Sequence, residues 1–452
     1  MKRLIGLLLS GILFSNTATA DDFASKRLEN WSQWRGPNAD GISPNANPPS
    51  TWDESTNVKW KAKIPGSGSS TPIIWEDKIF VAAAIQTDRK GPAAVERTDD
   101  QRPQRPGSWL SRRFGARSPE NIFQFLVFCL DRESGRVLWK RVVVEEQPHE
   151  GCHRSHGFAS GSPTTDGRSL YVSFGSRGIY ALDFDGNLRW KRDLGDMRTR
   201  NAFGEGASPV LCGDSLVVNW DHEGNSFIVC LDAATGEKRW RTPRDEATTW
   251  CTPFVVQHNG MTQVVINGTN RVRSYDLATG KLIWECGGQV DNPVASPVAS
   301  DGIVYLMTGR RGYALQAISL DSSGDLTDSN QIAWQRDRGT PYVPSPVLHD
   351  GLLYFLKSCN GILTCVRADS GEELYAEQRL ADVPDVYASL GFAAGKVFVV
   401  GRNGTTVVVK HGPTLEVLAV NRLQEGIDAS PVFVGNELFL RGTEHLYCIV
   451  AD

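Results

Sequence analysis

Apolar residues fall along this chain in short runs punctuated by Gly, Asp, Asn and Pro, with few stretches at helical spacing. One stretch shows the unit plainly: Ser208 to Trp240, SPVLCGDSLVVNWDHEGNSFIVCLDAATGEKRW. It predicts four short strands. Ser208-Pro209 opens the innermost, and Gly213-Asp214 turns into LVVNW. A polar loop at His222 to Asn225 leads to FIVCL, and Asp232 to Gly236 turns into the strand ending at Trp240. Asp closes such turns through its side chain, and Gly accepts the positive φ they need. A lone four-stranded sheet cannot bury Trp240, so the unit requires a neighbouring copy.

The copies come in register. With the Ser/Thr-Pro step as marker they fall at Pro72, Pro163, Pro209, Pro253, Pro297, Pro346 and Pro431, and Ser389-Leu390 fills the same slot without proline. Intervals run from 41 to 49 residues, the period of a four-stranded propeller blade, apart from one of 91 that holds an insertion. The turn glycine and a Trp four residues on recur as Gly135/Trp139, Gly186/Trp190, Gly236/Trp240 and Gly280/Trp284. The pair is stretched at Gly324/Trp334, weakened at Gly371/Tyr375 and lost at Leu415/Ala419. Seven blades are complete, and an eighth, Ser430 to Asp452, stops after three strands. Asn57 to Lys61 supplies its missing outer strand, which closes the ring and leaves no open edge there. The predicted fold is all-β: an eight-bladed propeller of four-stranded antiparallel blades.

The turn D-x-x-T-G-x-x-x-W (Asp232 to Trp240, Asp276 to Trp284) resembles the repeat of the pyrroloquinoline-quinone (PQQ) quinoprotein-like propellers. So does the opening Trp31-Ser-Gln-Trp-Arg-Gly-Pro-Asn38, with Asp40-Gly41. The likeness covers residues 21–452 and implies two classes of activity: quinone-dependent alcohol dehydrogenases, and non-enzymatic relatives such as the BamB-like assembly factors. One scaffold carries both, so function has to be argued from the site.

Met1 to Ala20 reads as a secretory signal. Lys2 and Arg3 form the charged start, Leu4 to Phe14 a short apolar core, and Ala18-Thr19-Ala20 the cleavage site. The apolar run is too short to span a bilayer, and no later one approaches that length. The expected location is therefore exported, periplasmic or extracellular. Formal charge is −4, or −6 without Lys2 and Arg3, which gives no basis for a nucleic-acid partner.

Nine cysteines in an exported chain raise the question of disulfides. Cys129, Cys230, Cys365 and Cys448 share one repeat slot, which Ala181 and Ser274 fill elsewhere, so the slot calls for a small buried side chain. Cys152, Cys212, Cys251, Cys286 and Cys359 remain open to pairing.

Within a blade the loop between strands two and three shares a face with the links between blades. The opposite face carries regular Asp-Gly and Thr-Gly turns, so irregular and functional sequence is expected on the first. Three features mark it. One is an Arg- and Pro-rich loop insertion in blade one, from about Gln86 to Glu120, with Trp109 and Phe114. The second is the link His149-Glu-Gly-Cys152-His153-Arg154-Ser-His156, dense in possible ligands but with no matching carboxylate or cysteine cluster elsewhere, so no metal site is assigned. The third is a scatter of loop cations, Arg177, Arg271, Arg310, Arg311, Lys357, Arg402 and Arg441, able to rim a positive funnel. Asn201, Glu205, Trp250, Asn292, Tyr342, Tyr387 and Asp428 lie on the approaches to the inner strands.

These residues point to an exported binding or scaffold propeller for a protein, peptide or saccharide, an anionic one among the candidates, held by Arg154, His156, Trp250, Arg310, Tyr342 and Asp428. The alternative that the resemblance implies is a PQQ-dependent oxidoreductase of the alcohol or sugar dehydrogenase type. Such dehydrogenases resemble longer chains with an adjacent-cysteine disulfide and a calcium-binding carboxylate set. No adjacent Cys-Cys pair occurs here, and no catalytic residue is assigned. PQQ is the one cofactor left open.

Overall fold

The computed structural model describes residues 20–92 and 118–451. Each repeat folds as an antiparallel meander, seen most simply in blade three: Val210–Cys212, Ser215–Trp220, Phe227–Asp232 and Lys238–Pro243, hydrogen-bonded in that order. Eight such sheets form an eight-bladed β-propeller. Blade eight is completed from the other end of the chain, as expected. Val58–Lys63 pairs antiparallel to His445–Val450, and Asn57 contributes its carbonyl to Val450 N–H at 2.8 Å.

The small slot and the Trp turn out to face each other across the outer strand pair. Cys129 lies opposite Trp139, Ala181 opposite Trp190, Cys230 opposite Trp240 and Ser274 opposite Trp284. In the closing pair Cys448 lies opposite Trp60. A small residue there leaves room for the indole to lean onto the next blade. The indole N–H then donates to a turn carbonyl of that blade: Trp60 to Arg132 O (3.0 Å), Trp139 to Phe184 O (2.9 Å), Trp190 to Ala233 O (2.8 Å) and Trp240 to Leu277 O (2.7 Å). The turn glycine is required twice over. Gly236 has φ 68°, and a Cβ on it would stand 2.7 Å from the Trp190 ring. Trp284 is the exception, since the stretched turn of blade five instead lays Gly324–Asp325 against blade four as a parallel fifth strand.

At the inner end the Ser/Thr-Pro steps make a belt. Each Ser or Thr backbone N–H donates to the hydroxyl of its counterpart in the next blade: Thr71 to Ser162, Ser162 to Ser208, Ser208 to Thr252, Thr252 to Ser296. Ser296 to Ser345, Ser345 to Ser389, Ser389 to Ser430 and Ser430 to Thr71 complete the circle, all eight bonds between 2.9 and 3.2 Å. Proline after the hydroxyl residue holds it extended, and the belt satisfies amides that the tight axis would otherwise bury unpaired.

The segment before the closing strand does more than the repeat pattern indicates. Trp31 exchanges backbone hydrogen bonds with Ile74 of blade one, and Thr165 N–H of blade two donates to Ser32 O at 2.9 Å. Arg35 donates to Pro346 O of blade six, and Ile42–Ser43 adds a parallel strand to the inner edge of blade seven. The segment thus passes beneath the axis as a plug. Trp52, 4% exposed, sits in the hydrophobic cluster against which Ala419 packs, beside the blade whose own Trp is missing.

One expectation needs correction. Gln86 to Lys90 is strand rather than loop: Lys78–Lys90 pairs with Asn121–Asp131 as far as Lys90↔Asn121. Residues 93–117 of that insertion, with Trp109 and Phe114, lie outside the described residues, as does the signal reading except for Ala20, which begins a helix, Ala20–Arg27. All nine cysteines are free thiols, because the five left open to pairing lie in different blades or links. Among the described residues no helix is long and apolar enough to cross a membrane.

Candidate functional site

On the face that carries the blade links, a cavity of about 650 Å³ opens at the axis above the belt. All eight blades reach it through the residues leading into their inner strands, and Trp34 of the plug reaches it too. His156, Trp250, Arg310, Tyr342 and Asp428 line it together, with His153 and Tyr387. Arg154 is exposed and is not among the lining residues. Trp34 carries no signal of its role in the repeat pattern, since it belongs to no blade.

The walls are held by their own contacts. Trp250 is pinned by its indole N–H, which donates to Gly204 O at 2.7 Å. His156 Nδ1 accepts the Gly157 N–H at 2.8 Å, and burial lowers its pKa, so the ring stands neutral. His153 Nδ1 meets Ser155 Oγ at 2.7 Å, and Ser155 Oγ meets the Tyr387 hydroxyl at 3.2 Å. Its pKa is lowered by burial first and then by Arg154, Arg310 and Arg402, three guanidinium groups acting on one ring.

Charge decides the character of the cavity. Asp428 is its one lining carboxylate among the described residues, and Arg402 holds it in a fork at 2.6 and 3.1 Å while also meeting Asp385 at 2.9 Å. Arg402 covers the Tyr387 ring, 3.9 Å from its centroid. Arg310 is different. It donates to the Tyr342 hydroxyl at 2.9 Å and has no carboxylate within ion-pair distance among the described residues. The cavity therefore presents a positive charge over aromatic walls.

The wider funnel of cations does not form. Arg310 and Arg311 line the cavity, whereas Arg177 is 9% exposed between Glu146 and Asp196, and Arg271 pairs with Asp325 and Glu285. Lys357 pairs with Glu377, and Arg441 is buried, donating to Ser70 O and Oγ. Burial without a carboxylate lowers the Arg441 pKa to about 9.

The histidine-rich link also divides. His153 and His156 face the axis, but His149 turns into a separate pocket of about 50 Å³ between blades two and three. There two carboxylates join it, Glu150 of the same link and Glu205 of the next, which corrects the expectation that the link has no matching acids.

A family model described as outer membrane protein assembly factor BamB matches residues 124–376 and 224–451. A polyvinylalcohol dehydrogenase of Pseudomonas sp. is 29% identical over 44% of this chain and 37% of its own length. One of Sphingopyxis sp. (strain 113P3) is 26% identical over 45% and 38%. The chain thus spans little more than a third of these relatives. Among solved structures, quinohemoprotein alcohol dehydrogenase from Comamonas testosteroni superposes with TM-score 0.63 at 10% identity, covering 96% of this chain and 82% of that one. BamB from Moraxella catarrhalis gives TM-score 0.53 at 14% identity, covering 81% and 98%. The chain belongs to the PQQ-repeat propeller family whose model is described as outer membrane protein assembly factor BamB.

Proposed function

We propose that this chain is an exported binding propeller whose axial cavity takes an acidic segment of a partner protein. The observation that carries this reading is Arg310, a cation with no carboxylate partner in a cavity whose one acid is already held by Arg402. A carboxylate from outside would complete Arg310, and Trp250, Tyr342 and Tyr387 offer flat surfaces to the flanking apolar groups. Arg154, exposed beside His153, adds attraction at the rim.

The test is a titration of tryptophan fluorescence with a hexaglutamate peptide at several salt concentrations. Arg310→Ala should weaken binding by about 2 kcal/mol and flatten the salt dependence, while leaving the melting curve near that of the wild type. Equal binding by wild type and variant would remove the cavity from the account.

The relatives named polyvinylalcohol dehydrogenase favour a second reading, a quinone-dependent oxidoreductase. The residues present do not fit it well. Cys359 in the cavity wall is a lone thiol, and Asp428 is committed to Arg402, so neither an adjacent-cysteine disulfide nor a free carboxylate set is supplied. Dye-linked alcohol oxidation after addition of PQQ and calcium, above a no-protein control, would restore this reading in place of the first.

A further inference from the structure

We propose that His149, Glu150 and Glu205 form a divalent metal site that ties the link before blade two to the link before blade three. None of the three lines the axial cavity, so this site is separate from the binding surface described above.

Each residue offers one ligand atom, and the three atoms lie within 4.8 Å of one another. His149 Nε2 and Glu205 Oε1 stand 3.9 Å apart. Small side-chain rotations bring such a set to metal–ligand bonds of about 2.0–2.2 Å. The pocket they share offers about 50 Å³ of space. A single water-sized centre needs about 10–15 Å³, so the space holds an ion and one or two waters to fill its remaining positions.

Two further observations favour an ion over an empty space. Neither Glu150 nor Glu205 has a Lys or Arg nitrogen within 4.0 Å among the described residues, although both are half-buried in one pocket. Two carboxylates so placed favour a cation between them, either a shared proton or a metal. The ligands are also oriented from behind. Glu205 accepts from Ser176 N–H at 2.7 Å and from Ser176 Oγ, while Glu150 accepts from Thr199 N–H at 3.0 Å and from Thr199 Oγ1. His149 Nδ1 stands 3.4 Å from Arg177 Nη2 and 3.9 Å from Asp196 Oδ1, and an ion at Nε2 would displace its 2.6 Å contact with Met197 O, leaving the ring proton on Nδ1 toward Asp196.

One imidazole with two carboxylates suits a borderline first-row ion such as zinc more than calcium or magnesium, which prefer oxygen alone. Calorimetric titration of chelator-treated full-length protein with zinc chloride should show one equivalent bound per chain, with a Tm raised by several degrees. Calcium chloride under the same conditions should produce neither effect. His149→Gln and Glu205→Gln should each weaken zinc binding by more than about tenfold. Their melting in chelator is measured alongside, and a variant that melts below the chelated wild type is replaced by Glu150→Gln. Absence of zinc binding to the wild type would overturn the site and leave a shared proton between the two carboxyls. Unchanged zinc affinity in the folded variants, or a response to calcium alone, would overturn it equally.

Discussion

Replacing Val58–Lys63 with a Gly-Ser linker of equal length is expected to unfold the ring rather than trim it. The strand pairs along His445–Val450 from Val58↔Ile449 to Lys63↔His445, so its removal bares the whole edge of blade eight. Trp60 is lost with it, together with its packing on Phe439 and the hydrogen bond to Arg132 O that joins blade eight to blade one. Lys59 also leaves Glu437, which then has Arg132 alone for company. The summed loss exceeds about 5 kcal/mol, which is comparable to the whole stability of an ordinary domain. A linker keeps the plug attached, so the experiment isolates closure. A cooperative melting curve unchanged from wild type would show that the ring closes by other means.

Asp221→Ala should cost about 3–5 kcal/mol, more than any other single replacement discussed here. Asp221 and Arg244 have fully buried side chains, joined by Nε to Oδ1 at 2.8 Å and Nη2 to Oδ2 at 3.1 Å. Thr249 Oγ1 also donates to Asp221, at 2.8 Å, and Arg244 donates to the Tyr275 hydroxyl at 2.9 Å. Removing the acid leaves a guanidinium in the interior without its ion-pair partner, and this penalty exceeds the net value of the pair. The double replacement Asp221→Met with Arg244→Met should recover much of the loss, because no charge is then stranded. Denaturant unfolding of the three proteins measures both effects. A double variant as unstable as the single one would mean that shape, not charge, sets the cost.

How much of this was legible in the sequence depended on whether a residue's partner came from the repeat. The period placed Pro72 to Pro431 on one ring, and the small slot at Cys129, Cys230 and Cys448 marked a packing position whose Trp partner emerged only in the structure. The loop-face argument placed Trp250, Tyr342 and Asp428 at one mouth because strand direction alone decides that. Direction of individual loop side chains was not legible. Arg177 and Arg441 share a loop class with Arg310, yet local acids or backbone carbonyls draw them inward. Glu150 and Glu205 meet although 55 positions separate them, since adjacent links converge only after the blades pack. Trp34 was invisible for a related reason: it is placed by a plug that follows no period.

The belt of hydroxyls runs in one sense around the axis, each blade donating to the one after it, and Ser430 hands on to Thr71 as any blade does to its successor. At that level the molecule has no first blade. The chain's seam lies farther out, in the outer strand of blade eight, and is invisible from the axis. The ring is therefore indifferent to where translation begins. Circularly permuted chains, opened at a turn on the face away from the cavity such as Asn259-Gly260 and joined across the old termini, are expected to keep every belt bond and to melt cooperatively like the parent chain.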